Sequence, residues 1–172
     1  MTLVSKSIIF PVVVVVVLVL SAGWRTAAWN SRGEEEIVGT WQVTVQLTNC
    51  SGVNVGDPFP SLLTFENGGT FIEDTMNPGF APGQRGPGHG IWDYQGHHSY
   101  SAKHVAFINF TTPPAPPASP GFNAGTQTIT QTIDFDHGPD QWSASGAMVQ
   151  FADTTGTVYR QACADATAAR LE

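Results

Sequence analysis

The amino-acid sequence predicts an all-β fold in which about eight antiparallel strands form a single up-and-down β-barrel. From residue 38 onward, apolar and polar side chains alternate with a period of two, which is typical of half-buried strands and not of helices. Clusters of Gly, Asn and Asp separate these segments and indicate tight turns. Eight such strands close into a barrel or fold into a sandwich, and we expect the barrel because closure leaves no exposed sheet edge.

The first 28 residues have the features of a secretory signal segment. Lys6 precedes an apolar run at 8–20 that only Pro11 interrupts, and small residues follow at 21–23. We therefore expect cleavage within or just after this segment, a secreted or periplasmic protein, and no membrane span after cleavage. The alternative is an uncleaved membrane anchor, since the uncharged run is at the lower limit of the length that spans a bilayer.

The predicted barrel domain spans residues 37–172 and follows an acidic leader at 29–36. Loss of Lys6 and Arg25 with the signal segment leaves five basic and fourteen acidic side chains, a net charge of −9 with neutral histidines. This charge argues against a nucleic-acid partner. The length fits one domain with its own core, and the sequence leaves the oligomeric state open.

The eight strands are predicted from the alternating segments in chain order. They comprise residues 38–48, 61–66, 70–73, 91–94, 99–110, 126–135, 142–151 and 157–163. The alanine-rich segment 164–171 favours a short final helix.

Long and short connections alternate between these strands. The long ones span 49–60, 76–90 and 111–125, and tight turns surround Gly68, Gly96 and Gly138. Every second connection of an up-and-down sheet lies at the same end, so we expect one end closed by hairpins and the other framed by three loops. The glycine-rich segment 83–90 is interpreted as a flexible loop at this mouth, where Arg85 would be available to an acidic ligand.

The first predicted strand begins with Gly39-Thr40-Trp41. This triplet resembles the G-x-W signature of the calycins, the group that includes lipocalins and fatty-acid-binding proteins. The resemblance implies a lipocalin-like barrel in which Trp41 has a structural role, packed across the closed end beneath an arginine from near the end of the chain. Arg160 and Arg170 are the candidates for this arginine, and Arg160 is favoured.

An eight-stranded barrel encloses either packed side chains or one small ligand. We therefore expect a protein that binds a small, largely apolar molecule in its interior, without a cofactor. The candidate lining consists of the aromatic residues on strands, namely Phe65, Phe71, Trp92, Tyr94, Phe107 and Trp142.

Two further functions stay open at the level of the sequence. The first is a barrel isomerase or cyclase that resembles allene oxide cyclases and dirigent proteins. Such an enzyme needs an ionisable side chain inside the barrel, and Glu73, Asp93 or His104 would serve if its strand face points inward. The second is a structural or adhesion module with a filled core.

Cys50 and Cys163 are the two cysteines of the chain, and an even pair in an oxidising compartment favours a disulfide. The predicted topology conflicts with this bond, because it places the two residues at opposite ends of the barrel. A disulfide requires Cα atoms within about 7 Å of each other. The sequence alone therefore leaves the conflict between the disulfide and the simple barrel open.

Two clusters have residue types that bind metal ions. Asp134, Asp136 and Asp140 are spaced like calcium ligands, but Pro139 stands where such loops need glycine, so we expect a polar hairpin. The histidines that cluster in sequence around Trp92 and Tyr94 are interpreted as exposed loop residues. They are His89, His97, His98 and His104. We predict no metal site.

Overall fold

The computed structural model describes residues 36–114 and 120–171, which form a closed barrel of eight antiparallel strands. The strands are β1 (Gly39–Thr48), β2 (Phe59–Glu66), β3 (Thr70–Thr75), β4 (Arg85–Gly96), β5 (Ser99–Ile108), β6 (Gly125–Asp134), β7 (Gln141–Asp153) and β8 (Val158–Arg170). Each strand pairs with its neighbour in the sequence, and β1 pairs with β8 to close the ring. The predicted fold class is confirmed. The expected signal segment, and the leader except for Glu36, lie outside the described residues.

The two ends of the barrel differ as the connection lengths predict. Segments 49–58, 76–84 and 109–124 join strands at one end, which we call the loop end, together with the short 154–157 turn. The turns at 67–69, 97–98 and 135–140 lie at the other end, which we call the hairpin end. Over residues 36–114 and 120–171, no helix has the length and apolar character needed to cross a membrane.

β4 and β8 extend furthest beyond the strands that the sequence predicts. β4 begins at Arg85, so most of the segment interpreted as a flexible mouth loop belongs to the sheet. β8 continues to Arg170, and the expected final helix is wrong. Residues 163–170 pair with β1, and this pairing outweighs the helical preference of alanine because it closes the barrel.

The longer β8 also removes the conflict over the cysteines. Cys163 lies in the first half of β8 and pairs with Thr48, close to Cys50 just after β1. The two cysteines form a disulfide with a Cα–Cα distance of 4.9 Å. It closes a loop across 113 residues, for which the loop-entropy account gives a stabilisation of about 5 kcal/mol.

The hairpin end is sealed by Trp41 and Arg170. Trp41 is fully buried, and its indole nitrogen donates a 2.8 Å hydrogen bond to the carbonyl of Ile37. The guanidinium carbon of Arg170 lies 4.2 Å from the centroid of the Trp41 ring. The preference for Arg160 at this position was therefore wrong. With β8 extended to residue 170, Arg170 pairs with Trp41, whereas Arg160 pairs with Phe151 near the loop end.

Arg170 also fastens the chain around this end through hydrogen bonds. Its side chain donates to the carbonyls of Glu36, Val38 and Pro139 and to the carboxylate of Asp140. Gly39 makes the approach possible, since its φ is +128° and a Cβ there would lie 2.8 Å from Nη1 of Arg170. These contacts give the Gly39-Thr40-Trp41 triplet a physical role.

Apolar side chains fill much of the barrel in two clusters. The aromatic cluster, in the hairpin half, includes Trp41, Phe65, Phe71, Trp92, Tyr100 and Trp142. The rim cluster, near the loop end, includes Ile108, Phe122, Val149 and Phe151, with Phe80 packed against it. Arg160 covers this second cluster, its guanidinium carbon 4.9 Å from the centroid of Phe122.

Candidate functional site

Five of the six aromatic residues predicted to line the interior lie on its inner wall. Phe65, Phe71, Trp92 and Trp142 are buried in the aromatic cluster, and half-buried Tyr94 packs against it. They contact one another closely; for example, the stacked rings of Phe65 and Phe71 are 4.8 Å apart. These residues form an aromatic floor above the sealed hairpin end.

Phe107 is the exception, because its side chain points outward and is 69 % exposed. In β5 the buried positions are the even-numbered residues from Tyr100 to Ile108, so Phe107 falls on the outer face together with Lys103. It borders a surface depression of about 470 Å³ near the loop end, formed by β5, β6 and the turn after Asp153. The prediction that Phe107 lines the interior is therefore wrong.

Polar side chains from five adjacent strands point into the loop half of the barrel. We call this group the polar layer, and its members are Ser61 of β2, Glu73 of β3, Arg85 of β4, His104 of β5 and Gln127 of β6. The side chains of Glu73 and Arg85 are only 5 % and 4 % exposed. A charged group at this depth is costly unless it is paired.

Glu73 and Arg85 form the charged centre of the layer. Nη2 of Arg85 donates a 2.7 Å hydrogen bond to Oε2 of Glu73, and the hydroxyl of Ser61 donates to Oε1 at 3.3 Å. Burial raises the pKa of Glu73 above its usual value, while the attraction of Arg85 opposes this shift. Arg85 is therefore a partner of an internal carboxylate and not the exposed mouth cation that the sequence predicted.

His104 lies beside this pair, with Nε2 3.8 Å from Oε2 of Glu73. The residue is 3 % exposed, and neither ring nitrogen has a hydrogen-bond partner within the described part of the chain. Burial and the positive charge of Arg85 lower the pKa of His104 to about 3, so the imidazole is neutral at physiological pH. The expectation of an exposed loop histidine was wrong for His104.

Two glycines of β4 leave space for interior side chains, Gly88 for the polar layer and Gly90 for the aromatic cluster. A Cβ at Gly88 would lie 2.7 Å from both the Glu73 carboxylate and the His104 ring. At Gly90 it would lie 2.4 Å from the ring of Phe71. The glycines that suggested a flexible loop therefore belong to a strand that lets the side chains of its neighbours cross over it.

The remaining candidates lie outside the interior. Asp93 is exposed on the outer face of β4. His97 and His98 are exposed in a turn as expected, whereas His89 is exposed but lies on β4 and not in a loop. The calcium-like aspartates occupy the end of β6 and the turn to β7, where Asp140 pairs with Arg170. Among residues 36–114 and 120–171, no group of three or more His, Cys, Asp or Glu is arranged to hold a metal ion.

Glu73 and His104, two of the three ionisable residues named as candidates for the interior, face inward, and the sequence also carries a signal for the face of His104. On β5, Lys103 marks the outer face, so His104 one residue later belongs to the inner face. Arg85 had no comparable signal, because the glycine and proline around it are typical of loops.

The fold and the site together define a class of protein, a closed eight-stranded up-and-down barrel with a charged layer inside an otherwise apolar interior. This architecture is compatible with a calycin-like fold. No protein-family model and no curated protein matches the chain.

Proposed function

We propose that the protein is exported and binds a small, largely apolar molecule inside the barrel. The aromatic floor would contact the apolar part of the ligand, and the polar layer would bind its polar group. The disulfide and the signal-like first 28 residues support the extracellular or periplasmic location.

The observation that carries the proposal is the cost of the polar layer. A buried ion pair is often replaced by apolar side chains of similar volume without loss of stability. A buried imidazole without hydrogen bonds costs about 1–3 kcal/mol. A barrel that served only as a filled structural module would be more stable with apolar residues at these positions, so Glu73, Arg85 and His104 point to a function in binding.

The loop end is the natural entrance for the ligand. Arg170 seals the hairpin end with hydrogen bonds to four residues from two chain segments. At the loop end the interior is covered by Phe80 and Phe122, which both belong to connecting segments and stack with centroids 4.3 Å apart. Displacing two loop side chains requires less rearrangement than opening the strand closure.

The proposal is tested by native mass spectrometry of the purified, disulfide-bonded protein and by binding of the neutral fluorescent probe N-phenyl-1-naphthylamine. We expect a bound species or saturable binding of the probe at one site per barrel. His104→Phe should weaken binding, and the control His89→Phe, on the outer face of β4, should not. If neither method detects a bound molecule in repeated preparations, the proposal is refuted in favour of the structural module.

A second candidate function is acid–base catalysis, and the inward positions of Glu73 and His104 favour it. In a bound ketone, Glu73 would take a proton from the α carbon while the His104 N–H stays hydrogen-bonded to the carbonyl oxygen, giving a protonated Glu73 and an enolate stabilised by that hydrogen bond. The proton on Glu73 would then exchange with solvent. The reverse step would return a solvent-derived proton. Octan-2-one in D₂O should then exchange its α protons faster with the wild type than with Glu73→Gln. Equal exchange rates would eliminate this function.

A further inference from the structure

The hydrogen bonds of the polar layer restrict the kind of ligand that it accepts. We infer that the interior site takes an uncharged molecule whose hydroxyl or carbonyl group bonds to His104, and that it excludes the carboxylate of the same chain length. This inference rests on the proposed function and specifies its ligand class.

Three of the five N–H groups of Arg85, one on each nitrogen, already donate hydrogen bonds within the barrel. Nε donates to the side-chain oxygen of Gln127, Nη1 to the carbonyl of Gly86 at 3.1 Å, and Nη2 to Glu73 at 2.7 Å. A ligand carboxylate would compete with Glu73 for this guanidinium. Two buried carboxylates would then share one cation, which is strongly unfavourable.

The charge of the layer points in the same direction. Arg85 and Glu73 contribute one positive and one negative charge, and the neutral His104 adds none. An incoming carboxylate would give the layer a net negative charge away from water. A hydroxyl or carbonyl group leaves the balance unchanged.

His104 supplies hydrogen-bonding capacity that is not used within the layer. A neutral imidazole has one N–H donor and one acceptor nitrogen, and within residues 36–114 and 120–171 neither is used. A hydroxyl group both donates and accepts, so it can bond to either nitrogen. A carbonyl group accepts from the N–H.

The test compares three probes of equal chain length at pH 7.5, octan-1-ol, octan-2-one and octanoate, by displacement of N-phenyl-1-naphthylamine. We expect the alcohol and the ketone to bind at least tenfold more tightly than octanoate. His104→Phe should weaken octanol binding about tenfold, the value of one hydrogen bond. His104→Gln should restore part of it, and His89→Phe should leave it unchanged.

The outcomes separate the two proposals. If octanoate binds as tightly as octanol, the ligand class is wrong while interior binding stands. If N-phenyl-1-naphthylamine binds but none of the three eight-carbon compounds displaces it, the ligand class is wrong while interior binding stands. If the fluorescent probe does not bind and native mass spectrometry detects no bound molecule, both proposals are refuted. A direct readout is the ¹⁵N NMR signal of His104, which octanol should shift in the wild type; an unchanged signal on saturation would refute the contact.

Discussion

The neutral His104 should make the barrel sensitive to mild acid. In the unfolded chain a histidine binds a proton near pH 6.5, whereas burial and Arg85 lower the pKa of folded His104 to about 3. Between these values the unfolded state binds more protons than the folded state, so stability rises with pH and is lost as the pH falls. Protonation linkage gives a loss of about 2 kcal/mol between pH 7 and pH 5 from this residue alone.

The groups that face His104 contribute in different ways. Arg85 keeps its charge throughout this range. Glu73 has a raised pKa in the folded protein, so its protonation as the pH falls favours the folded state and opposes the effect of His104. A variant that lacks His104 but retains Arg85 and Glu73 therefore separates the contribution of the histidine to the pH dependence of stability.

The assay is urea unfolding of the disulfide-bonded protein at pH 7 and pH 5, for the wild type and His104→Phe. The variant should be about 1–3 kcal/mol more stable at pH 7, because it removes a buried polar group without partners. It should also lose about 2 kcal/mol less than the wild type at pH 5. His89→Phe should follow the wild type. Parallel losses in the wild type and His104→Phe would refute the assignment of a neutral buried imidazole.

Three further predictions concern the packing around the same site and the sealed end. Arg85→Ala should destabilise the protein by about 3–5 kcal/mol because it leaves Glu73 buried without a cation, and the double substitution Glu73→Leu/Arg85→Met should recover most of this loss in chemical denaturation. Gly88→Ala should lower the free energy of unfolding by about 1–3 kcal/mol because the new Cβ would clash with Glu73 and His104. The control is Gly86→Ala, in which the nearest atom is 3.9 Å from the new Cβ, so its thermal melt should be nearly unchanged. Equal effects of the two substitutions would contradict the packing argument. Arg170→Lys should lower the free energy of unfolding by about 2–4 kcal/mol, because hydrogen bonds and the stacking on Trp41 are lost. An unchanged melting temperature would refute this role of Arg170.

The sequence was sufficient to predict the barrel because alternation and turns are local signals. Trp41 and its neighbours show a strict period of two, and Gly68, Gly96 and Gly138 all mark tight turns in the structure. The sequence also predicted that the three long connections lie at the same end of the barrel, and this prediction is confirmed. Each of these features depends on a few consecutive residues.

The errors arose where contacts distant in sequence determine the local structure. Residues 164–170 are alanine-rich and favour a helix in isolation, but pairing with both β1 and β7 makes them a strand. This strand brings Arg170 to Trp41 and Cys163 to Cys50.

The polar layer was predicted only in part, because Glu73 and His104 were named as candidates for the interior but Arg85 was assigned to a loop at the mouth. The glycines at 88 and 90 are typical of a loop when read alone, and their role appears only when Glu73 and Phe71 from β3 cross over them. Phe107 was misplaced because both faces of β5 carry apolar residues, and the choice of face requires the lysine at 103. The sequence therefore predicts the strands and turns of the barrel better than it predicts which side chains face the interior.

The pairing of the first strand with the last has a consequence for biogenesis. The second edge of β1 is paired only when β8 is present, so the ring cannot close until β8 has been synthesised. A chain that ended before Val158 would present two open edges and would also lack Cys163 and Arg170. Such a product should aggregate through those edges, so correct assembly of the barrel depends on the 13 residues of β8.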